Sequence, residues 1–372
     1  MFRFTLNAKE LDILQALDKI ASAKKSLAAQ SLLLLEVADN LTIRLTAFND
    51  EARMTAMLHP TEVEGEGRIC IEPKKLGALT RAIGDMPMTI TYDDNTNMVG
   101  ITTPNGKYNL NAYDAADYPQ ADKVDGLRYD IVAEYISRGV KATAFAAATD
   151  ADYRPQLQGV HINFGNSALT FTATDTRVLA QLSFADFSNE ETAEVVVPTK
   201  YAQMMASFCD EVGDNKVTLT ISGKTLTLNT GDIKITSVLV AGTYPAVERA
   251  FPHGLKNRAE VDAQTLRTAL SRVAILANER VPAVNISADA TGEIRVSTID
   301  EDTQQNASET IYGATDEPIS MYFGYKVLVN AISVFTGDII MQAVDATHPA
   351  LFVPAQNEQH TRYCVLAMPI MK

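Results

Sequence analysis

The sequence predicts an α+β protein made of three copies of one unit, each packing two helices on antiparallel sheets. One segment pattern returns at a fixed period. IEPKKLGALTRAIGD from Ile71, VVPTKYAQMMASF from Val196 and YFGYKVLVNAISVFTGD from Tyr322 set Pro73, Pro198 and Gly324 at intervals of 125 and 126 residues. A second set agrees: LTIRLTAFNDEARM, ALTFTATDTRVLAQ and EIRVSTIDEDTQQ set Asn49, Asp175 and Asp300 at intervals of 126 and 125. AADYPQ and AGTYPAV place Pro119 and Pro245 again 126 apart, and 372 residues divide into three by 124, so one period accounts for the whole chain.

Within each third the order is helix, strands, helix, strands, a duplicated half-unit. The first helix shows as apolar residues at steps of three and four, at Leu11, Leu14, Leu17 and Ile20, over Tyr135 to Ala148, and over Leu266 to Leu276. Two β-rich runs follow, such as LLLLEVAD and LTIRLTAF, joined by a turn at Asp39 and Asn40. The second helix is entered through Pro73 or Pro198, where a first-turn proline loses no needed donor. Further strands close the unit, as in KVTLTIS, TLTLNT and IKITSVLV, separated at Gly223 and at Gly231-Asp232. Boundaries are expected just after each repeated Tyr-Pro, giving domains 1–125, 126–250 and 251–372.

Apolar residues make up 46% and charged residues 21%, enough for a core in every repeat. Three scattered cysteines, Cys70, Cys209 and Cys364, offer no disulfide framework and fit a reducing compartment. No apolar run approaches the roughly 18 residues of a membrane span, and MFRFTLNAKELD lacks the basic start and apolar core of a signal peptide. The expectation is a cytoplasmic protein without a membrane partner.

Net charge is −14, which taken alone argues against a polyanion partner. Its distribution argues otherwise. The helix windows 8–25, 73–84, 132–148, 198–208, 263–277 and 323–336 hold 13 basic residues against the four acids Glu10, Asp12, Asp18 and Glu134. Lys and Arg are good helix formers, but Glu is equally good, and only two occur there. A basic helical face meeting a phosphate backbone, with the acidic charge elsewhere, explains the asymmetry. Few aromatics lie among these charges and no base-reading motif accompanies them, so the expected contact is independent of sequence.

Catalytic constellations are not apparent. His59, His161, His253, His348 and His360 show no metal-ligand spacing, and no metal or cofactor is expected. Gly65-Glu66-Gly67 lacks the later glycine of a dinucleotide fingerprint, and Ser22 with Lys25 has no second active-site motif beside it. Asp93-Asp94 and Asp300-Glu301-Asp302 lie in turn-like stretches and read as solvated faces. The protein is not expected to be an enzyme.

Repeats, basic helices and several local runs together resemble one family, the bacterial DNA polymerase III beta subunit, or sliding clamp. The runs are RVAILANER from Arg272 to Arg280, Thr174-Asp175 with Leu179-Ala180, Thr236 to Val240 leading to Tyr244-Pro245 and Arg249, and Met368-Pro369. The resemblance covers the whole chain. It implies the DNA clamp fold, closing a ring as a homodimer around double-stranded DNA to hold the replicative DNA polymerase catalytic subunit during synthesis. An ATP-driven clamp loader would open the ring, and other DNA polymerases and repair proteins would dock through short linear peptides. The alternative is a triple-repeat scaffold, a subunit of an enzyme or structural complex that does not encircle DNA.

By matching position, the resemblance implies that Lys24, Lys74, Lys75, Arg81, Arg154 and Lys200 face DNA. Arg138, Lys141 and Arg267 join them on helix placement. It implies a dimer contact in which Tyr108 and Leu110 of one chain meet Ile275 and Leu276 of the other. The implied peptide pocket comprises Leu157, Thr174, Arg177, Leu179, Pro245 and Arg249, with Val327, Pro349, Met368 and Pro369 from the third repeat. The sequence departs from the family pattern at Thr176-Arg177-Val178, where Gly-His-Arg is common, and in its tail, Met-Pro-Ile-Met-Lys.

Overall fold

The structure, a computed structural model, describes residues 1–21, 31–38, 42–60, 62–149 and 154–371. In the first repeat these form β1 (Phe2–Leu6), α1 (Ala8–Ala21), β2 (Leu33–Ala38), β3 (Thr42–Phe48), β4 (Ala52–Leu58), β5 (Val63–Gly65), β6 (Gly67–Ile71), α2 (Pro73–Ile83), β7 (Met88–Asp93), β8 (Met98–Thr103) and β9 (Gly106–Tyr113). The second holds β10 (Leu127–Val132), α3 (Ala133–Thr143), β11 (Gly159–Phe164), β12 (Leu169–Thr174), β13 (Val178–Phe184), β14 (Ala193–Pro198), α4 (Thr199–Val212), β15 (Lys216–Ser222), β16 (Thr225–Asn229) and β17 (Ile233–Val238). The third holds β18 (Asn257–Asp262), α5 (Ala263–Val273), β19 (Ala283–Ala288), β20 (Glu293–Ile299), β21 (Asn306–Tyr312), β22 (Ala314–Thr315), β23 (Ile319–Gly324), α6 (Tyr325–Ile332), β24 (Asp338–Ala343), β25 (Ala350–Pro354) and β26 (Thr361–Ala367).

Each repeat is thus β-α-β-β-β performed twice, with β5 and β22 as short additions. The duplicated half-unit expected from sequence is present, but a strand precedes every helix, including β1, β10 and β18, which the periodicity did not single out. These strands are too short to register as alternation: NRAEVD of β18 buries only Ala259 and Val261. Helix α4 also runs four residues past the expected window, adding Asp210 and Glu211 and narrowing the basic excess on the helices. The expected turn at Asp39 and Asn40 lies outside the described residues.

Two compact units result, and they cut across the repeats: 1–134 with 207–239, and 135–206 with 240–372. Sheet continuity is the reason. In the first unit thirteen strands form one antiparallel sheet in which β4, the fourth strand of the first repeat, pairs with β17, the last strand of the second. In the second unit β13 pairs in the same way with β26, over Val178 to Phe184 against Thr361 to Ala367. That pairing joins nine strands; β21-β20-β19-β23 form a separate sheet.

The helices bury one face each against these sheets. In the first unit Leu17 and Ile20 of α1 are fully buried, as are Ile43 and Met54 on the strands. In the second, Leu266, Ala269 and Leu270 of α5 pack with Leu328 and Ile332 of α6, Phe323 and Phe352. At about 25 cal/mol per Å² of apolar area removed from water, such clusters dominate the stability of each unit. Asp262 caps α5, its carboxylate accepting from the Thr265 amide and hydroxyl at 2.7 Å each, and these bonds hold its pKa below the usual carboxylate value. Helix α3 approaches its sheet closely because residue 139 is glycine: a Cβ there would stand 2.2 Å from the Phe171 ring. Gly139→Val should therefore lower stability by about 1–3 kcal/mol through overpacking, read as a shifted urea midpoint; an unchanged midpoint would show that α3 can slide away from Phe171.

Candidate nucleic-acid interface and docking groove

Side chains spaced by three and four residues share one face of a helix, and the outward faces of α2 and α3 carry basic residues. On α2, Lys74, Ala78 and Arg81 form one exposed row, with Lys75 beside it. Lys75 Nζ lies 2.8 Å from the Glu72 carboxylate, which raises its pKa. Arg81 Nη1 lies 3.2 Å from Asp18 Oδ2, and Asp18 is buried between the helices. Lys74 forms no ion pair among the described residues.

Arg138 and Lys141 share the outward face of α3. The Arg138 guanidinium sits 5.8 Å from the Phe184 ring centroid and pairs with Glu358 in the turn between β25 and β26. With Lys141, Thr336, Asn357 and Tyr363 it lines a cavity of about 390 Å³. Lys200 is exposed in the first turn of α4, its Nζ 5.1 Å from the Tyr201 ring centroid. Arg154, also exposed, takes a left-handed conformation (φ 45°) at the start of a 3-10 turn over Pro155–Leu157.

Two of the nine expected phosphate contacts stand apart. Lys24 lies outside the described residues. Arg267 holds part of the fold: Nη1 donates to the carbonyl oxygens of Ile332 and Phe335 at 2.7 and 2.9 Å. Those carbonyls lie at the end of α6 and in the turn after it, so the guanidinium ties down that helix end.

The residues expected to form one pocket are divided. Arg177, Val327, Met368 and Pro369 do line a groove of about 560 Å³, together with Arg280, Val281, Pro282, Tyr325, Lys326, Ile370 and Met371. The tail is held there by Met368 N donating to Arg177 O at 2.9 Å and Ile370 N to Tyr322 O at 2.7 Å. Val281 and Met371 are exposed at 60% and 72%, an apolar wall open to solvent. Leu157 and Leu179 instead belong to a buried cluster with Val196, Tyr244, Val247 and Leu366. Leucine is among the residue types most often fully buried, and Leu157 and Leu179 are 0% and 5% exposed. Thr174 turns inward and donates to Val178 O at 2.7 Å. Arg249 is exposed and Pro349 half-buried; neither lines the groove.

Pro245 borders a different, polar cavity of about 420 Å³ over β11 to β14, with Asn163, Thr170 and Gln181. There His161 stacks on Tyr244, centroids 4.4 Å apart and planes 4° from parallel, and its Nε2 is 3.3 Å from Glu194. Burial lowers the His161 pKa, and Glu194 and Glu248 oppose that shift without reversing it. Sequence reasoning passed over His161, Val281 and Met371; an isolated histidine and apolar residues next to prolines carry no periodic signal.

Thr176, at the rim of the groove, has φ 77°, a region costly for a β-branched residue. The turn is imposed by side chains: Thr176 N donates to Thr174 Oγ1 at 3.0 Å, and Arg177 N and Val178 N both donate to Asp175 Oδ1 at 2.8 Å. A glycine would take this conformation freely.

Family comparison matches residues 2–122, 130–246 and 248–369 to the N-terminal, central and C-terminal domains of the DNA polymerase III beta subunit. Among characterised relatives, the beta sliding clamp of Synechocystis is 24% identical over 98% of this chain and 98% of its own. That of Escherichia coli K12 is 25% identical over 79% of both. Among solved structures, the Pseudomonas aeruginosa sliding clamp bound to griselimycin is similar with a TM-score of 0.87 at 24% identity, both chains fully covered. The Thermotoga maritima beta subunit gives 0.86 at 21% identity, again with both chains fully covered.

Two measurements test the local physics. Thr176→Gly should raise stability by up to about 1 kcal/mol, the relieved strain exceeding the added chain entropy; a lower urea midpoint would contradict the strain. His161 is held neutral in the folded chain, so the unfolded chain takes up its proton first as pH falls. Stability should decline as pH falls below the ordinary histidine value of about 6.5, and His161→Phe, which keeps the stack, should flatten that decline. Equal pH slopes for the two proteins would show that His161 is not the source.

Proposed function

Because the chain belongs to the DNA polymerase III beta subunit family, we propose that it is a sliding clamp: two copies joined head to tail in a ring around duplex DNA, tethering the replicative polymerase for processive synthesis. It is a non-catalytic processivity subunit. Three domains per chain, 1–125, 126–250 and 251–372, supply six to the ring.

The observation that carries this reading is a pair of leftover strand edges. At both internal junctions the fourth strand of one repeat pairs with the last strand of the next, β4 with β17 and β13 with β26. The corresponding strands left over are β21, at the edge of its sheet, and β9, which meets β6 only through Ala112 and Tyr113. Pairing β21 of one copy with β9 of the next repeats the internal junction between chains and satisfies both edges. Apolar side chains accompany them: Ile275 is 78% and Leu276 36% exposed beside β20 and β21, and Tyr108 is 39% exposed on β9, near half-buried Leu110.

DNA contact is assigned to Lys74, Lys75, Arg81, Arg138, Lys141, Arg154 and Lys200, touching phosphates without reading bases. A closed ring is held by topology, so these contacts need only be weak enough to exchange as it slides. The groove at Val327, Met368 and Pro369 would take the apolar anchors of short peptides from polymerases and repair proteins. An ATP-driven loader would open the ring, and the working compartment is the cytoplasm.

Light scattering should give about twice the 40.4 kDa of the chain, and Ile275→Asp with Leu276→Asp should give monomers. A clamp loaded on nicked circular DNA should stay bound in high salt and leave when the circle is cut. A monomer at every concentration, or retention indifferent to cutting, would overturn the reading.

A further inference from the structure

We propose that the junction between the first and second repeats holds a phosphate-binding pocket, on the sheet face away from the helices. Residues of the first unit enclose a cavity of about 370 Å³ there. On β4 Arg53 and Thr55 alternate with buried Met54 and Ala56, and on β17 Lys234 and Thr236 alternate with buried Ile233, Ile235 and Ser237. The antiparallel register sets Arg53 opposite Thr236 and Thr55 opposite Lys234, so two cations and two hydroxyls converge on one patch. Lys123 and Asp122, from the segment that follows the Tyr118-Pro119 pair, close one side, and Ser222 and Thr225 of the β15–β16 turn close another.

Arg53 is prepared for an anion rather than neutralised by one. Its Nη2 and Nη1 donate to the carbonyl oxygens of Pro119 and Gln120 at 2.7 and 3.4 Å, and the guanidinium lies 5.4 Å from the Phe48 ring centroid. These contacts fix its plane, but its Nε is buried and has no hydrogen-bond partner. The charge of this guanidinium is thus left without a hydrogen-bonded anion, at the wall of the cavity. Neither Lys123 nor Lys234 forms an ion pair among the described residues. Three cations face the single carboxylate of Asp122 in a chain of net charge −14, with Glu36 acting on Arg53 from farther off. Cations and hydroxyl groups on several sides suit a tetrahedral oxyanion, which accepts from many directions, better than a flat carboxylate.

The repeat gives the pocket a position. Arg53 opposite Thr236 corresponds to Leu179 opposite Leu366 at the next junction, where the same two strands of the half-unit meet. There the pair is apolar and buried in a cluster with Tyr244. The first junction is the polar version of that place.

Orthophosphate and a short neutral peptide carrying one phosphoserine serve as probes, titrated by calorimetry against the full chain. Lys234→Met, at a half-buried position that holds nothing else in place, is the main variant, with Arg53→Lys as the second and circular dichroism as the folding control. Saturable binding of either probe, weakened about tenfold or more by each variant, is expected from losing a charge-assisted contact. The tighter of the two probes identifies the source, a free anion or a phosphorylated segment. No saturable binding of either probe, or equal affinity in the folded variants, would overturn the proposal.

Discussion

Antiparallel pairing between repeats is the constraint on which the rest of the structure depends. A β-α-β-β-β half-unit leaves strand edges whose amide and carbonyl groups must find partners. Within the chain β4 finds β17 and β13 finds β26, and each junction thereby becomes part of one continuous sheet. The helices inherit their placement from this, since each buries its apolar face on strands that are already fixed. The linkers inherit theirs too. Tyr118, after β9, donates to Thr46 O at 2.8 Å and sets its ring edge-on to Phe48, fastening the segment that leads on to the second repeat.

The same junction geometry accommodates opposite chemistry. At one, Leu179 and Leu366 close over an apolar cluster and the adjoining surface opens into a groove walled by Val327, Val281 and Met371. At the other, Arg53 and Thr236 occupy the corresponding places and leave a polar cavity. The strand pairing tolerates this because side chains alternate across the sheet, so the outward positions can change without disturbing Met54 and Ile235 on the buried side. The repeated pairing thus leaves the same outward positions open to different chemistry at the two junctions.

The fold was largely legible because its signals are periodic. Intervals of 125 and 126 residues survive where local identity does not, and the helix entry at Pro73 and the apolar spacing of α1 need only a few side chains to be read. The leading strands were not legible, because NRAEVD or FRFTL offers two or three apolar residues and no length. Site residues divided along a similar line. Arg138 and Lys141 could be placed on a helix from the sequence and do lie on its outward side, whereas the hydrogen bonds of Arg267 depend on where α6 ends, 65 residues away in sequence. Leu179 and Pro245 show the limit most clearly. Both sit in the expected neighbourhood, but only tertiary packing decides that one is covered and the other opens onto a polar cavity.

Charge pairing on the helical faces bears on how such a surface meets a polyanion. Of the basic residues assigned there, Lys75, Arg81 and Arg138 already face the carboxylates of Glu72, Asp18 and Glu358. A phosphate arriving at one of these cations replaces one anion by another and gains little, whether the resident carboxylate is exposed, as at Glu358, or buried, as at Asp18. Lys74, which forms no ion pair among the described residues, and Lys200, whose Nζ lies 5.1 Å from the Tyr201 ring centroid, would supply longer-range attraction. An interface in which attraction is general and each contact is already compensated has no deep minimum along the duplex. That flatness is what a ring needs if closure, rather than affinity, keeps it on DNA: every step along the axis exchanges equivalent weak contacts, and no single phosphate holds it in place.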